Sequence, residues 1–163
     1  GVFVLGRMGW IYGRAPGERK AIRSIALAFM ILATGTTSAV HFVELTALRQ
    51  AGAAGLVWPS SAYALELLAW DVFLGFSLVF AAFTFARTGR ERRVRTGLLE
   101  CGLLCLVGVI GPALGNMRIQ LIGVFGYAGV LPVVVLLLAD LFLAVLGPSR
   151  RGSPSVGVIQ TSA

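Results

Sequence analysis

The residues best suited to chemistry lie in unusually apolar surroundings. The stretch AVHFVELTAL holds the only histidine of the chain and a glutamate three residues after it, and the stretch YALELLAWD adds two further acids and a tryptophan. Histidine titrates near neutral pH, and a carboxylate accepts a proton or holds a cation. These side chains could therefore transfer protons or bind a small ligand or ion. They are His41, Glu44, Glu66, Trp70 and Asp71.

The segments that must position these residues have the composition of a membrane protein. The chain is 57% hydrophobic and only 13% charged, with a mean hydropathy of +0.87, whereas a soluble domain has about 25% charged residues. Its long apolar runs lack the alternation of membrane β-strands. The sequence therefore predicts an all-α fold, a polytopic bundle with four full transmembrane helices, each close to the roughly 20 residues that cross a bilayer. The predicted spans are residues 24–48, 62–86, 97–115 and 119–146.

The two ends of the chain lie outside these spans. The first twelve residues, GVFVLGRMGWIY, are apolar but too short to cross a membrane. They are either the remainder of a truncated fifth helix or a segment that lies along the interface, and they do not resemble a signal peptide. Residues 1–146 are predicted to form a single transmembrane bundle domain, and the Ser-, Gly- and Pro-rich residues 147–163 a disordered cytoplasmic tail.

The basic residues predict an orientation. Arginine and lysine cluster before the first span, between the second and third spans, and in the tail, whereas the other two links carry only Arg49 and Arg118. This positive-inside pattern places both ends of the four-helix core in the cytoplasm, with the chain in the inner (plasma) membrane of a bacterium. The pI near 10.7 follows from this topology, so the bilayer, and no nucleic acid, is the predicted partner.

Five of the seven acidic residues fall within the predicted spans. A charge at mid-bilayer costs between about 3 and more than 10 kcal/mol, so such residues usually pair, line a cavity or face the bundle interior. Glu100 and Asp140 lie near the basic ends and are interpreted as interfacial anchors. Glu44, Glu66 and Asp71, together with His41, are expected in the outer leaflet at depths of roughly 5 to 12 Å.

Helical spacing groups the polar residues further. On the first span a polar stripe of Thr34, Thr37, Ser38, His41 and Glu44 shares one face, which must contact protein or water. Glu66 and Asp71 point about 140° apart on an ideal helix, so they are expected to face different neighbours.

The outer link GNMRIQ brings Asn116, Arg118 and Gln120 to the same side of the membrane. Because a guanidinium can clamp a carboxylate with two hydrogen bonds, Arg118 is predicted to pair with Glu44 or Glu66. Gly108, Gly111 and Gly115 should allow a close helix approach, and Pro112 and Pro132 should kink their helices. No metal site is predicted, and the sequence leaves the cofactor open.

Residues 19–71 also carry a resemblance. The run GERKAIRSIALAFMILATGTTSAVHFVEL followed by YALELLAWD resembles the emopamil-binding (EXPERA) family, although its His-to-Glu spacing differs and its outer loop is short. The resemblance implies a helical bundle in which His41, Glu44 and Glu66 would move protons on a sterol-like substrate.

Two functional hypotheses follow. In the first, the outer polar residues bind a small ligand, lipid or ion, or the chain serves as a subunit of a homo-oligomer or larger membrane complex. In the second, His41 and a carboxylate do acid/base chemistry on a lipid-soluble, isoprenoid or sterol-like substrate. A network that merely fixes helix register would explain the same residues.

Overall fold

A computed structural model of the protein describes residues 20–52 and 56–146. Over these residues the chain consists of helices joined by short turns, with no strand, which confirms the predicted all-α class. The N-terminal apolar segment and the tail from residue 147 lie outside the described residues, so what the sequence predicts for them is untested.

Four helices are long and apolar enough to cross a membrane, as predicted. They contain 29, 22, 25 and 28 residues, which corresponds to lengths of about 33 to 44 Å, against about 30 Å of hydrocarbon. We name them α1 (Lys20–Leu48), α2 (Ser61–Ala82), α3 (Gly89–Ala113) and α4 (Met117–Ala144). The α2–α3 loop marks what we call the basic end of the bundle, and the α3–α4 link at residues 114–116 marks the far end.

The starts of α1 and α3 and the end of α2 each differ by four or more residues from the predicted spans. α3 begins at Gly89 rather than at residue 97, because the helix continues through the charged residues that follow Gly89. Apolarity marks where hydrocarbon begins, whereas helical hydrogen bonding extends beyond it into the interface. α2 ends at Ala82, four residues earlier than predicted, and is followed by a turn in which the Thr84 hydroxyl donates to the Ala81 carbonyl oxygen over 2.7 Å.

α3 is the central helix and packs against both α2 and α4. Glycines bring the backbones together at both crossings. A Cβ atom on Gly102 would lie 2.7 Å from the carbonyl oxygen of Gly75 on α2, and one on Gly108 would lie 2.6 Å from the Cα of Gly123 on α4. The close approach predicted for Gly108 is therefore confirmed, and α4 is its partner. Such contacts hold helices together in lipid, where hydrophobic burial between helices contributes little.

Apolar side chains from all four helices close the bundle around α3. Both cysteines are free and buried in this core, and the thiol of Cys101 lies 3.1 Å from the carbonyl oxygen of Gly126, close enough to donate to it. Other buried members include Met30 on α1, Leu78 on α2, Leu98 on α3 and Val134 on α4.

Regular α-helical hydrogen bonding is interrupted at several points. π-Helical turns occupy Glu44–Leu48 in α1, Leu68–Phe73 in α2 and Phe125–Val130 in α4, and α3 has a turn at Val109. The interruptions in α3 and α4 lie just before Pro112 and Pro132. Proline has no N–H to donate and its ring clashes with the preceding turn, which explains both positions.

The glycine crossing between α3 and α4 gives a stability test. Gly108→Ala should lower the melting temperature in detergent, because the added Cβ meets the Gly123 backbone and forces the helices apart. Overpacking of this kind costs about 1–3 kcal/mol. Gly35→Ala on α1 is the matched control, since nothing lies within 4 Å of its Cβ position and its melting temperature should be unchanged or slightly raised. Equal melting temperatures for the two variants would contradict the close α3–α4 crossing.

Candidate functional site

Glu66 lies in the part of α2 that is nearest the far end of the bundle, and its carboxylate has two neighbouring side chains. The indole Nε1 of Trp70, one turn further along α2, donates to Glu66 Oε1 over 2.6 Å. Glu66 Oε2 lies 3.8 Å from Nδ1 of His41 on α1, which is an ion-pair distance but too long for a hydrogen bond. The Glu66 side chain is 16% exposed, and its Oε2 atom is buried without a hydrogen-bond donor. We call these three residues the His41 cluster.

His41 is the accessible member of this cluster. Its Nδ1 lies 3.0 Å from the carbonyl oxygen of Thr37, one turn back on α1. A carbonyl only accepts, so Nδ1 donates and the neutral ring carries its proton there. Nε2 is then the acceptor nitrogen, and it has no hydrogen-bond partner among the described residues. Because the side chain is 49% exposed, His41 can meet a ligand that approaches from outside the bundle.

Asp71 is fully buried near the middle of α2. Its Oδ2 accepts a long hydrogen bond of 3.5 Å from Nε2 of Gln120 on α4, while Oδ1 has no donor. The Gln120 amide also lies 3.4 Å from the Tyr127 hydroxyl, about two turns further along α4. Oδ1 sits against Gly123, where a Cβ atom would lie only 2.5 Å away. We call Asp71, Gln120 and Tyr127 the Asp71 cluster.

One aromatic contact connects the two clusters. The rings of Trp70 and Tyr127 lie 5.2 Å apart with their planes inclined by 46°. Trp70 thus touches Glu66 through its N–H and Tyr127 through its ring. The two acids of α2 face different helices, Glu66 towards α1 and Asp71 towards α4, yet they belong to one connected set of side chains.

Glu66 and Asp71 lie at different positions along α2. Glu66 is five residues beyond the start of the helix at Ser61 and Asp71 is ten residues beyond it, so the two residues are about 8 Å apart along the helix axis.

The predicted ion pair of Arg118 is wrong for the described part of the chain. Arg118 is exposed at the start of α4, and its guanidinium pairs with neither Glu44 nor Glu66. The ion-pair neighbour of Glu66 is His41 of α1 instead. Asn116 instead ends the α3–α4 link as a helix cap, because its Oδ1 accepts from the backbone N–H of Arg118 over 3.1 Å. Neither Asn116 nor Arg118 joins the clusters.

The polar stripe of α1 is only partly covered. Ser38 and His41 are exposed, while Thr34, Thr37 and Glu44 are half-buried. Glu44 opens the π-helical turn of α1, and its carboxylate has no hydrogen bond or ion pair with another described residue. Of the stripe, only His41 reaches another helix through a polar contact.

Tyr127 was missed by sequence reasoning, and Gln120 was noted only as part of the outer link. A signal was present, because Gln120 and Tyr127 are seven residues apart and therefore share one face of α4. A buried tyrosine hydroxyl also needs a partner, which an apolar run does not otherwise supply. Among the described residues, no three His, Cys, Asp or Glu side chains converge to hold a metal ion.

Comparison of the chain with protein-family models, with curated proteins and with solved structures gives no match. The resemblance of residues 19–71 to the emopamil-binding family therefore stays a hypothesis. Function has to be argued from the two clusters themselves.

Replacing Trp70 by phenylalanine tests the connection between the clusters. Trp70→Phe keeps a ring next to Tyr127 but removes the only hydrogen bond of the Glu66 carboxylate, which should cost about 1–3 kcal/mol and lower the melting temperature in detergent. Trp58→Phe is the control, since the Trp58 ring contacts Tyr63 at 6.1 Å and its indole N–H has no partner among the described residues. If both variants melt alike, the Trp70–Glu66 hydrogen bond contributes nothing to stability.

Proposed function

We propose that this chain is an integral inner-membrane protein that binds a small cation, or a small ligand with N–H or O–H groups, between its helices. One observation carries the proposal: Glu66 and Asp71 each keep one buried carboxylate oxygen without a hydrogen-bond donor. Buried polar atoms in proteins are nearly always partnered, so two exceptions on one apolar helix favour a role in binding. Carboxylate oxygens accept hydrogen bonds and attract cations, which defines the ligand class.

The His41 cluster is the point of access in this proposal. His41 is half exposed, and Glu66 Oε2 lies behind it at 3.8 Å from the ring. A ligand that displaces the imidazole by a small rotation reaches that oxygen directly. Thr37 holds the Nδ1 proton, so the other ring nitrogen accepts from the same ligand. The pair thus offers two acceptors, Glu66 Oε2 and His41 Nε2, which suits an ammonium group or a hydroxyl-bearing head group.

The Asp71 cluster provides the deeper acceptor. Its single long hydrogen bond from Gln120 leaves most of the acceptor capacity of the carboxylate unused. A charged carboxylate that leaves water for an apolar interior loses several kcal/mol of hydration free energy unless partners replace it. A bound cation or donor offsets this loss, which is the physical reason to expect binding here.

The orientation of this site follows from the basic residues. The clustering of arginine at one end of the bundle supports a topology with that end in the cytoplasm and the His41 cluster in the outer leaflet. On this proposal the ligand enters from the outer aqueous phase or from the outer leaflet. The bilayer is the first partner of the chain, and a second copy or a larger complex is a further candidate.

A membrane enzyme is the second candidate. It is favoured by the exposure of His41 next to a carboxylate, since acid/base catalysis requires a proton donor or acceptor that the substrate can reach. In this alternative His41 and Glu66 transfer a proton to and from a lipid-soluble, isoprenoid or sterol-like molecule. The two candidates differ in the mass of what the protein binds and in whether that molecule is changed.

Native mass spectrometry of the full chain in mild detergent tests the proposal. Wild type should carry a defined small-molecule or ion adduct, and His41→Ala and Glu66→Gln should lose it, because the first removes the imidazole acceptor and the second removes the carboxylate charge and one of its two oxygens. Glu44→Gln is the matched control, as its carboxylate contacts no other described residue, and it should keep the adduct.

The alternatives give different spectra. A sterol- or isoprenoid-sized adduct that changes mass or double-bond position on incubation, and does so only with His41 present, would favour the enzyme. If wild type and the three variants are all detected without an adduct and with the same oligomeric state, the binding proposal is wrong. The clusters would then be a packing network, and variants in them should lower thermal stability alone.

A further inference from the structure

A groove lies between α3 and α4 and opens at the basic end of the bundle. Its volume is about 580 Å³. α3 contributes Arg92, Arg93 and Thr96, and α4 contributes Val133, Val134 and Leu137. One wall is therefore basic and polar and the other is branched and apolar.

The side chains of the two arginines of the groove, Arg92 and Arg93, have no hydrogen bond or ion pair with another described residue. Both are exposed. Their neighbours are engaged: Arg90 pairs with Asp140 at 3.8 Å, while Arg95 donates to the Phe85 carbonyl oxygen at 3.2 Å and lies 5.1 Å above the Phe83 ring. Two guanidiniums with unused N–H groups at one rim form a site for a phosphate, which arginine binds with paired hydrogen bonds.

The apolar wall continues the groove towards the membrane interior. Val130, Val133, Val134 and Leu137 share one face of α4, and the first and last of them are about 10 Å apart along the axis. The floor is closed because Val134 packs onto Gly97, where a Cβ atom would lie 2.7 Å from Val134 Cγ2. Val133 is 56% exposed, so a ligand in the groove would cover an apolar surface.

We propose that this groove binds an anionic phospholipid, with its phosphate between Arg92 and Arg93 and an acyl chain along Val133 and Leu137. A free phosphate ion would use the arginines but not the apolar wall, whereas a phospholipid uses both. Basic pockets between membrane helices near the interface commonly hold such head groups. Glu100 also lines the groove, about 12 Å along α3 from Arg92. Its negative charge favours a singly charged head group over a doubly charged one.

Lipid retention measured by native mass spectrometry tests this proposal. The full chain is incubated in detergent with phosphatidylglycerol or with phosphatidylcholine of the same acyl chains, and the bound lipids are counted. Wild type should prefer phosphatidylglycerol, and the double variant Arg92→Gln with Arg93→Gln should lose that preference by about tenfold or more. Glu100→Gln should strengthen phosphatidylglycerol binding, because it removes the only acid among the groove-lining residues.

Arg118→Gln is the control for charge, since this arginine is also exposed and unpaired among the described residues but lies at the far end. It should retain the wild-type preference. An unchanged preference in the double variant, or an equal loss in the control, would overturn the proposal. Complete displacement of phosphatidylglycerol by excess inorganic phosphate would also overturn it, since the apolar wall would then contribute nothing. All variants alter exposed side chains, and equal melting temperatures would confirm that they fold.

Discussion

The close approach of α3 to α2 and α4 is the constraint on which the rest of the bundle depends. Lipid tails are as apolar as the side chains of the helices, so burying those side chains between helices yields little free energy. Backbone contact through glycine contributes instead, at Gly75 with Gly102 and at Gly108 with Gly123. The second contact also brings α4 against Asp71, because Gly123 is the residue beside its Oδ1 atom. Any side chain at this position would occupy the space of the carboxylate.

The polar groups inside this framework are arranged as a connected series rather than as isolated pairs. It runs from His41 through Glu66 and Trp70 to Tyr127, then to Gln120 and Asp71. It contains two acids and few donors, so its electrostatic balance is incomplete in the bundle alone. A network that only fixed helix register would be expected to satisfy its members, since each unmet acceptor lowers stability. This imbalance is the observation on which the binding proposal rests.

The sequence predicted the helical class and the number of spans well, because both follow from hydropathy and length, which are local properties. It placed the start of α3 eight residues late, since apolarity does not register a helix that continues through arginines. It paired Arg118 with an acid on the grounds of shared depth, although depth does not decide which face of α2 meets which helix. Tyr127 was missed for a related reason. Tyr127 contacts Gln120 on its own helix and Trp70 on α2. The contact with another helix cannot be predicted from the periodicity of one segment.

The π-helical turns of α2 and α4 each contain a member of the Asp71 cluster. A π-turn closes between residues i and i+5, so it accommodates one more residue than an α-turn. The extra residues fall in Leu68–Phe73 and Phe125–Val130, the segments that contain Asp71 and Tyr127. Deletion of one residue within such a turn would restore regular α-helical hydrogen bonding. The side chains before and after the turn would still face the same neighbouring helices. Among related chains, insertions and deletions of a single residue within a span should therefore concentrate at these two turns. A chain with such a deletion would keep the fold but lose the polar residues between its helices.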